Sequence, residues 1–133
     1  MQTYTASAPG REQPARILIV DDHEITRVAL RALLHTEGID VADAPADETA
    51  ITAAIAFHPD MVIVDVTPAD PAGFRIARRQ RALPEGPPVM LTSSSSRCKF
   101  GSQLDGQLFV AKADLSARAI ANAAATPCAS PAR

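Results

Sequence analysis

Five residues of this 133-residue chain carry chemically capable side chains at the ends of aliphatic runs: Asp21, Asp22, Asp65, Thr92 and Lys112. Carboxylates brought to one edge repel each other unless a cation joins them. Oxygen donors bearing two or three charges suit Mg2+, which keeps several waters and binds readily beside a phosphate. A carboxylate next to such an ion can attack phosphorus and form an acyl phosphate. A hydroxyl and an ammonium, here Thr92 and Lys112, can then hold the phosphoryl oxygens. Taken alone, Asp21 and Asp22 read more readily as a helix N-cap pair than as metal ligands. A carboxylate closing the buried run before Asp65, by contrast, is costly without a partner.

The surrounding pattern supplies the frame that would bring these residues together. Ile17 to Val20, Met61 to Val64, Val89 to Leu91 and Leu108 to Ala111 are short aliphatic runs of the kind buried on both faces of a parallel sheet. Ile39 to Ala42 offers one more strand. Between the first two strands, Ile25, Val28, Ala29, Ala32 and Leu33 have the spacing of a helix face, with Gly38 as its stop. Asp47 can cap a second helix with Ala50, Ala53, Ala54 and Phe57 on its inner face, and Pro59 ends it. A third helix follows Gly73 and carries Phe74, Ile76 and Ala77, and Asp114 can cap a last one from Leu115 to about Ala125. Strands alternating with helices imply right-handed crossovers, a parallel sheet covered on both faces, and ligand sites at the strand C-termini. Ser93 to Gln107, with four serines, Gly101 and Gly106, leaves room for one short helix at most and reads as irregular or mobile.

Composition bounds the rest. Apolar residues make up 47% and charged ones 21%, as in globular domains rather than disordered chains. Residues 1–15 read as a loose lead-in, 16–125 as one domain and 126–133 as a tail. A net charge of −2 and few aromatics give no nucleic-acid-binding character. Arg75, Arg78, Arg79 and Arg81 therefore read as a solvated face. The two cysteines, Cys98 and Cys128, have no metal-ligand spacing and suit a reducing, cytoplasmic compartment. No apolar run is long enough to insert in a membrane. His23, His35 and His58 read as surface or capping residues.

Four segments taken in order, Ile-Leu-Ile-Val-Asp-Asp-His, Pro-Asp-Met-Val-Ile-Val-Asp, Val-Met-Leu-Thr-Ser and Phe-Val-Ala-Lys-Ala-Asp-Leu-Ser, resemble the receiver domain of response regulators over residues 14–125. The resemblance implies a flavodoxin-like doubly wound α/β fold, with a five-stranded parallel sheet in the order 2-1-3-4-5. It also implies that Asp65 is the phospho-acceptor, that Asp22 binds Mg2+ directly with help from Asp21, and that the Thr67 backbone carbonyl completes the metal shell. Thr92 would be the switch hydroxyl, Phe109 the switch aromatic and Lys112 the cation on the phosphate. The phosphoryl donor would be a phosphohistidine on a sensor histidine kinase or phosphotransfer protein. Output would pass through an unknown downstream protein target, because TPCASPAR holds no output module.

The chain also departs from that pattern. After the acceptor, Val66-Thr67-Pro68-Ala69-Asp70-Pro71-Ala72-Gly73 places its first proline one position early, and Pro68 restricts the backbone of Thr67. Ala113 stands where many relatives have a cis-proline, so a trans bond is expected there. The Thr92-to-Lys112 interval is short. These departures motivate a second reading, a receiver fold that binds proteins without being phosphorylated. An aspartyl-phosphate phosphatase would need an acid/base Asp two residues beyond Asp65, where the chain has Thr67. A fragment of a longer DNA-binding regulator is a further possibility.

Overall fold

A computed structural model describes residues 16–104 and 106–125; the lead-in, the tail and Cys128 lie outside the described residues. Five strands alternate with helices: β1 (Arg16–Val20), α1 (Glu24–Thr36), β2 (Asp40–Ala44), α2 (Glu48–Phe57), β3 (Met61–Asp65), α3 (Ala72–Arg81), β4 (Val89–Ser93), β5 (Leu108–Ala111) and α4 (Ala117–Ala125). The pairings within the sheet are parallel and the spatial order is β2-β1-β3-β4-β5, the flavodoxin-like arrangement. Order reverses between β1 and β3, which places a crevice beyond their C-terminal ends, where Asp21 and Asp65 lie.

Alternate residues of the strands feed two cores. Leu18, Val20, Val62, Val64 and Leu91 pack under α2 and α3 through Ala50, Ala54, Ile76 and Ala77. On the opposite face Ile17, Ile19, Met61, Ile63 and Met90 meet Leu30 and Leu34 of α1 and Ile120 of α4. Asp47 caps α2 as expected, accepting from Thr49 N at 2.8 Å.

The face of α1 is a correction. Ile25, Val28, Ala29, Ala32 and Leu33 share one side of the helix, but that side points to solvent, with Ile25 86% and Val28 55% exposed. The buried side is Leu30 and Leu34 together with Arg27. The guanidinium of Arg27 donates to Asp43 at 2.8 Å and to the Asp21 carbonyl at 2.8 Å, so an arginine completes the inner face. A helix apolar on both sides cannot be oriented by periodicity alone.

Two further boundaries shift. Lys112–Asp114 forms a 3-10 turn, and Leu115 runs extended into the core, so α4 starts at Ala117 rather than at Leu115. Its cap is not Asp114: Ser116 Oγ accepts from Ala119 N at 3.0 Å, and Glu37, just past α1, accepts from Ala117 N at 2.6 Å. Between β4 and β5 the chain forms a 3-10 segment, Arg97–Leu104, kinked at Gly101 with φ 57° and ψ −130°. That backbone region favours glycine. The segment is irregular, as expected, and it is anchored: Phe100 and Leu104 are buried, and the Phe100 ring lies 6.1 Å from Phe74 and 6.0 Å from Phe109. The backbone at Ala113 is trans.

Candidate functional site

β1 delivers Asp21 at its C-terminal end, 1% exposed, and β3 delivers Asp65, whose side chain is 10% exposed. Lys112, just past β5, reaches across the crevice. Its Nζ lies 2.9 Å from Asp21 Oδ2 and 2.7 Å from Asp65 Oδ1. The first contact is an aligned hydrogen bond and the second a close ionic contact; among the described residues no other donor reaches the buried Asp65 Oδ1. One ammonium thus sits between two carboxylates in a poorly solvated site.

The electrostatics follow from that arrangement. Burial raises the Asp65 pKa above the ordinary aspartate value; Lys112 opposes the rise, and the Asp21 charge adds to it. For Lys112, burial acts to lower the pKa, but the contacts with Asp65 and Asp21 outweigh it and hold the ammonium above its ordinary value.

The local backbone is arranged around Asp65. Val66 N donates to the Thr92 carbonyl at 2.8 Å, which keeps β3 joined to β4 just past the carboxylate. Thr67 then forms an antiparallel bridge with Asp70, so the loop folds back as a tight turn before α3. Asp70 Oδ1 accepts from Ala72 N at 2.9 Å at the start of that helix. Gly73 packs directly against the Asp65 main chain.

Thr92 pairs with Asp65 across β3 and β4, is buried, and donates its hydroxyl to the Val110 carbonyl at 2.7 Å. Phe109 is half-buried beside Phe100, with the Arg97 guanidinium 5.2 Å from its ring centre. Asp22 is placed differently from the expectation that it lies nearest a metal. It is exposed, and its Oδ1 accepts from Ala46 N at 2.7 Å, which ties it to the turn after β2. His23, read from sequence as a surface or capping residue, is exposed and borders the site. Its main-chain N–H donates to Asp21 Oδ1 at 2.8 Å and its ring Nδ1 lies 3.2 Å from the same oxygen. The signal for it was adjacency to the Asp21–Asp22 pair.

Asp21, His23 and Asp65 each offer a ligand atom, and these atoms lie within 4.8 Å of one another. The two carboxylates are hard oxygen donors of the kind Mg2+ takes, and both already hold the Lys112 ammonium, so this edge draws positive charge. The residues therefore fit a divalent ion.

Residues 17–118 match the model of the response regulator receiver domain. Among curated proteins, the chain is similar to protein-glutamate methylesterase/protein-glutamine glutaminase 6 of Anaeromyxobacter dehalogenans, 36% identical over 74% of this chain and 29% of that protein. The chain spans about a third of the length of that relative. Among solved structures, the BeF3-activated N-terminal receiver domain of Klebsiella pneumoniae RstA superposes with a TM-score of 0.65 at 24% identity, covering 80% of this chain and 93% of that one. A complex of histidine kinase ThkA with response regulator TrrA matches with a TM-score of 0.59 at 26% identity, covering 72% of this chain and 84% of that one. Among the described residues, no helix is long and apolar enough to cross a membrane. With most of the chain, residues 17–118, matching the family model and the acidic edge assembled at the sheet's reversal point, the chain belongs to the response regulator receiver domains of two-component signalling.

Proposed function

We propose that the chain is a phosphoryl-accepting switch rather than an enzyme acting on an external substrate, and that Asp65 is its acceptor. The observation that carries this reading is the Lys112 ammonium held between Asp21 and Asp65 at the strand edge. In the proposed step an Asp65 carboxylate oxygen forms a bond to phosphorus while the phosphorus–nitrogen bond of a partner's phosphohistidine breaks, and the departing imidazole keeps the electron pair and takes a proton from water. Asp65 must be ionised to attack, and Lys112 favours that form against the burial that opposes it. Once the acyl phosphate exists, Lys112 donates to its oxygens. A Mg2+ ion held by Asp21 and Asp65 would supply charge neutralisation for the phosphoryl group; Asp22 and the Thr67 carbonyl remain proposed contributors.

Thr92 and Phe109 are the proposed readout. The phosphoryl group would give the Thr92 hydroxyl an acceptor that competes with the Val110 carbonyl, and a change at β5 would pass to Phe109, Phe100 and the 3-10 segment. The donor is proposed to be a sensor histidine kinase or phosphotransfer protein, supported by the likeness to the kinase-bound TrrA. The outward apolar side of α1 would suit helix packing against such a donor. The output is proposed to be contact with a protein target, without direct nucleic-acid binding or membrane insertion, in the cytoplasm.

A second reading, a protein-binding module that works without phosphorylation, is favoured by the position of Asp22 away from the acidic cluster. Intact mass after incubation with Mg2+ and acetyl phosphate separates the two. A single Mg2+-dependent phosphoryl adduct, absent from Asp65→Asn, supports the switch. No adduct on a folded protein, beside a receiver that labels in parallel, favours the second reading.

A further inference from the structure

We propose that His23 supplies an imidazole nitrogen to the divalent-cation site, so that the site prefers first-row transition-metal dications, from Mn2+ to Zn2+, over Mg2+. The inference rests on the reading of the Asp21–Asp65 crevice as a cation site and assigns its third side-chain donor. One His nitrogen and one oxygen from each carboxylate lie within 4.8 Å of one another. Lys112 holds Oδ2 of Asp21, which leaves Oδ1 on the His23 side. The main-chain N–H of His23 donates to that oxygen at 2.8 Å, so the turn that presents the carboxylate also presents the ring.

Two further observations favour nitrogen over a third carboxylate. Asp22, the neighbouring oxygen donor, has its Oδ1 engaged by Ala46 N at 2.7 Å and is not among the residues whose ligand atoms gather within 4.8 Å. His23 occupies the N-cap position of α1 without a side-chain cap; its ring is turned instead toward the cluster, with Nδ1 3.2 Å from Asp21 Oδ1. The side chain is 72% exposed and can turn at the mouth of the crevice, while Asp65 Oδ1 lies buried inside, 2.7 Å from the Lys112 ammonium. Mg2+ takes oxygen ligands and gains little from an imidazole, whereas affinity of mixed nitrogen and oxygen sites rises along the first-row series.

The test is Mn2+ binding to the full chain, with Mg2+ as competitor, above the ordinary imidazole pKa of about 6.5. Pulsed EPR of the bound Mn2+ reads nitrogen coupling directly, independent of any phosphotransfer. The wild type is expected to show histidine nitrogen coupling and His23→Asn to lose it. The substitution should weaken Mn2+ about tenfold or more, since loss of even an outer-shell partner typically costs about 10–100-fold in metal affinity, and should change Mg2+ affinity by less than about twofold. His35→Asn, an exposed α1 position outside the cluster, should behave as wild type. Mn2+ bound without nitrogen coupling, or equally by wild type and His23→Asn, overturns the role of His23 and leaves the carboxylate site standing. A folded protein that takes up neither ion refutes both.

Discussion

A Cβ placed on Gly73 would stand 2.3 Å from the main-chain oxygen of Asp65 and 3.2 Å from the Cα of Val66. Both obstacles are backbone, so no side-chain rotation relieves them. The first turn of α3 is pressed against the strand end that carries the proposed acceptor, and only a residue without a side chain allows that approach. Gly73→Ala should therefore destabilise the fold by about 2–3 kcal/mol despite the better helix propensity of alanine. Urea unfolding should show a lower midpoint at unchanged slope. Phosphoryl uptake should fall as well, because relief of the clash must move Asp65 or α3.

Removing the bridging cation should cost more than removing one of the anions it joins. Lys112→Met leaves Asp21 and Asp65 facing each other without compensation, and loss of one partner from a buried ionic site typically costs about 3–5 kcal/mol. The penalty should shrink in acid, as Asp65, whose pKa is raised, takes up its proton and the repulsion falls. In the wild type the Lys112 pKa is raised, so its contribution is complete below the unfolded value of 10.5 and is lost as pH climbs through the folded one. Thermal unfolding of both proteins across the pH range checks the two signs.

Asp65→Asn should move stability the other way. Burial first, and Asp21 second, raise the Asp65 pKa above 3.8, so the folded chain holds that proton more tightly than the unfolded chain. Between the unfolded and the folded pKa, stability contributed by this group falls as pH rises, and the ionised carboxylate is a net cost at neutral pH. The neutral amide should raise stability by about 1 kcal/mol while abolishing phosphoryl uptake. Lys112 retains Asp21 in that variant. A loss of stability at neutral pH would show that the Lys112–Asp65 contact outweighs the burial.

Much of this arrangement was legible in the sequence because parallel strands buried on both faces are short unbroken aliphatic runs. Ile17–Val20 and Met61–Val64 state their own ends through Asp21 and Asp65. What was not legible depended on contacts distant in sequence or on two faces of similar character. Leu30 and Leu34 won the core side of α1 over the longer stripe from Ile25 to Leu33, because Arg27 joins them inside by reaching Asp43 and the Asp21 carbonyl. The α4 cap at Glu37 lies 80 residues away, beyond any local spacing rule. The place of Asp22 was set by the amide of Ala46 after β2, which no property of the Asp-Asp pair reveals.

The 3-10 segment should stand or fall with one ring. Phe100 is 3% exposed and contacts both Phe74 on α3 and Phe109 on β5. Phe100→Ala should cost about 3–5 kcal/mol if the cavity stays open. Hydrogen exchange should quicken over Arg97–Leu104 before it changes in β1 or β3. The same substitution should cut the path from Phe109, so a phosphorylated variant would show the Asp65 adduct with a reduced spectral change at the segment.

The outward side of α1 separates donor recognition from chemistry. Ile25 and Val28 are exposed and contribute no core contact, so Ile25→Gln with Val28→Gln should shift stability by no more than about 0.5 kcal/mol each. Neither residue belongs to the Asp21–Asp65–Lys112 cluster, so uptake from acetyl phosphate should be unchanged. Transfer from a cognate phosphohistidine protein should slow by about tenfold, equivalent to ~1.4 kcal/mol of lost contact. The comparison needs both donors on the same protein preparation. Equal slowing with both donors would mean that the substitutions disturb the acceptor site. No slowing with the protein donor would move the docking surface away from α1, toward the loops that surround Asp65.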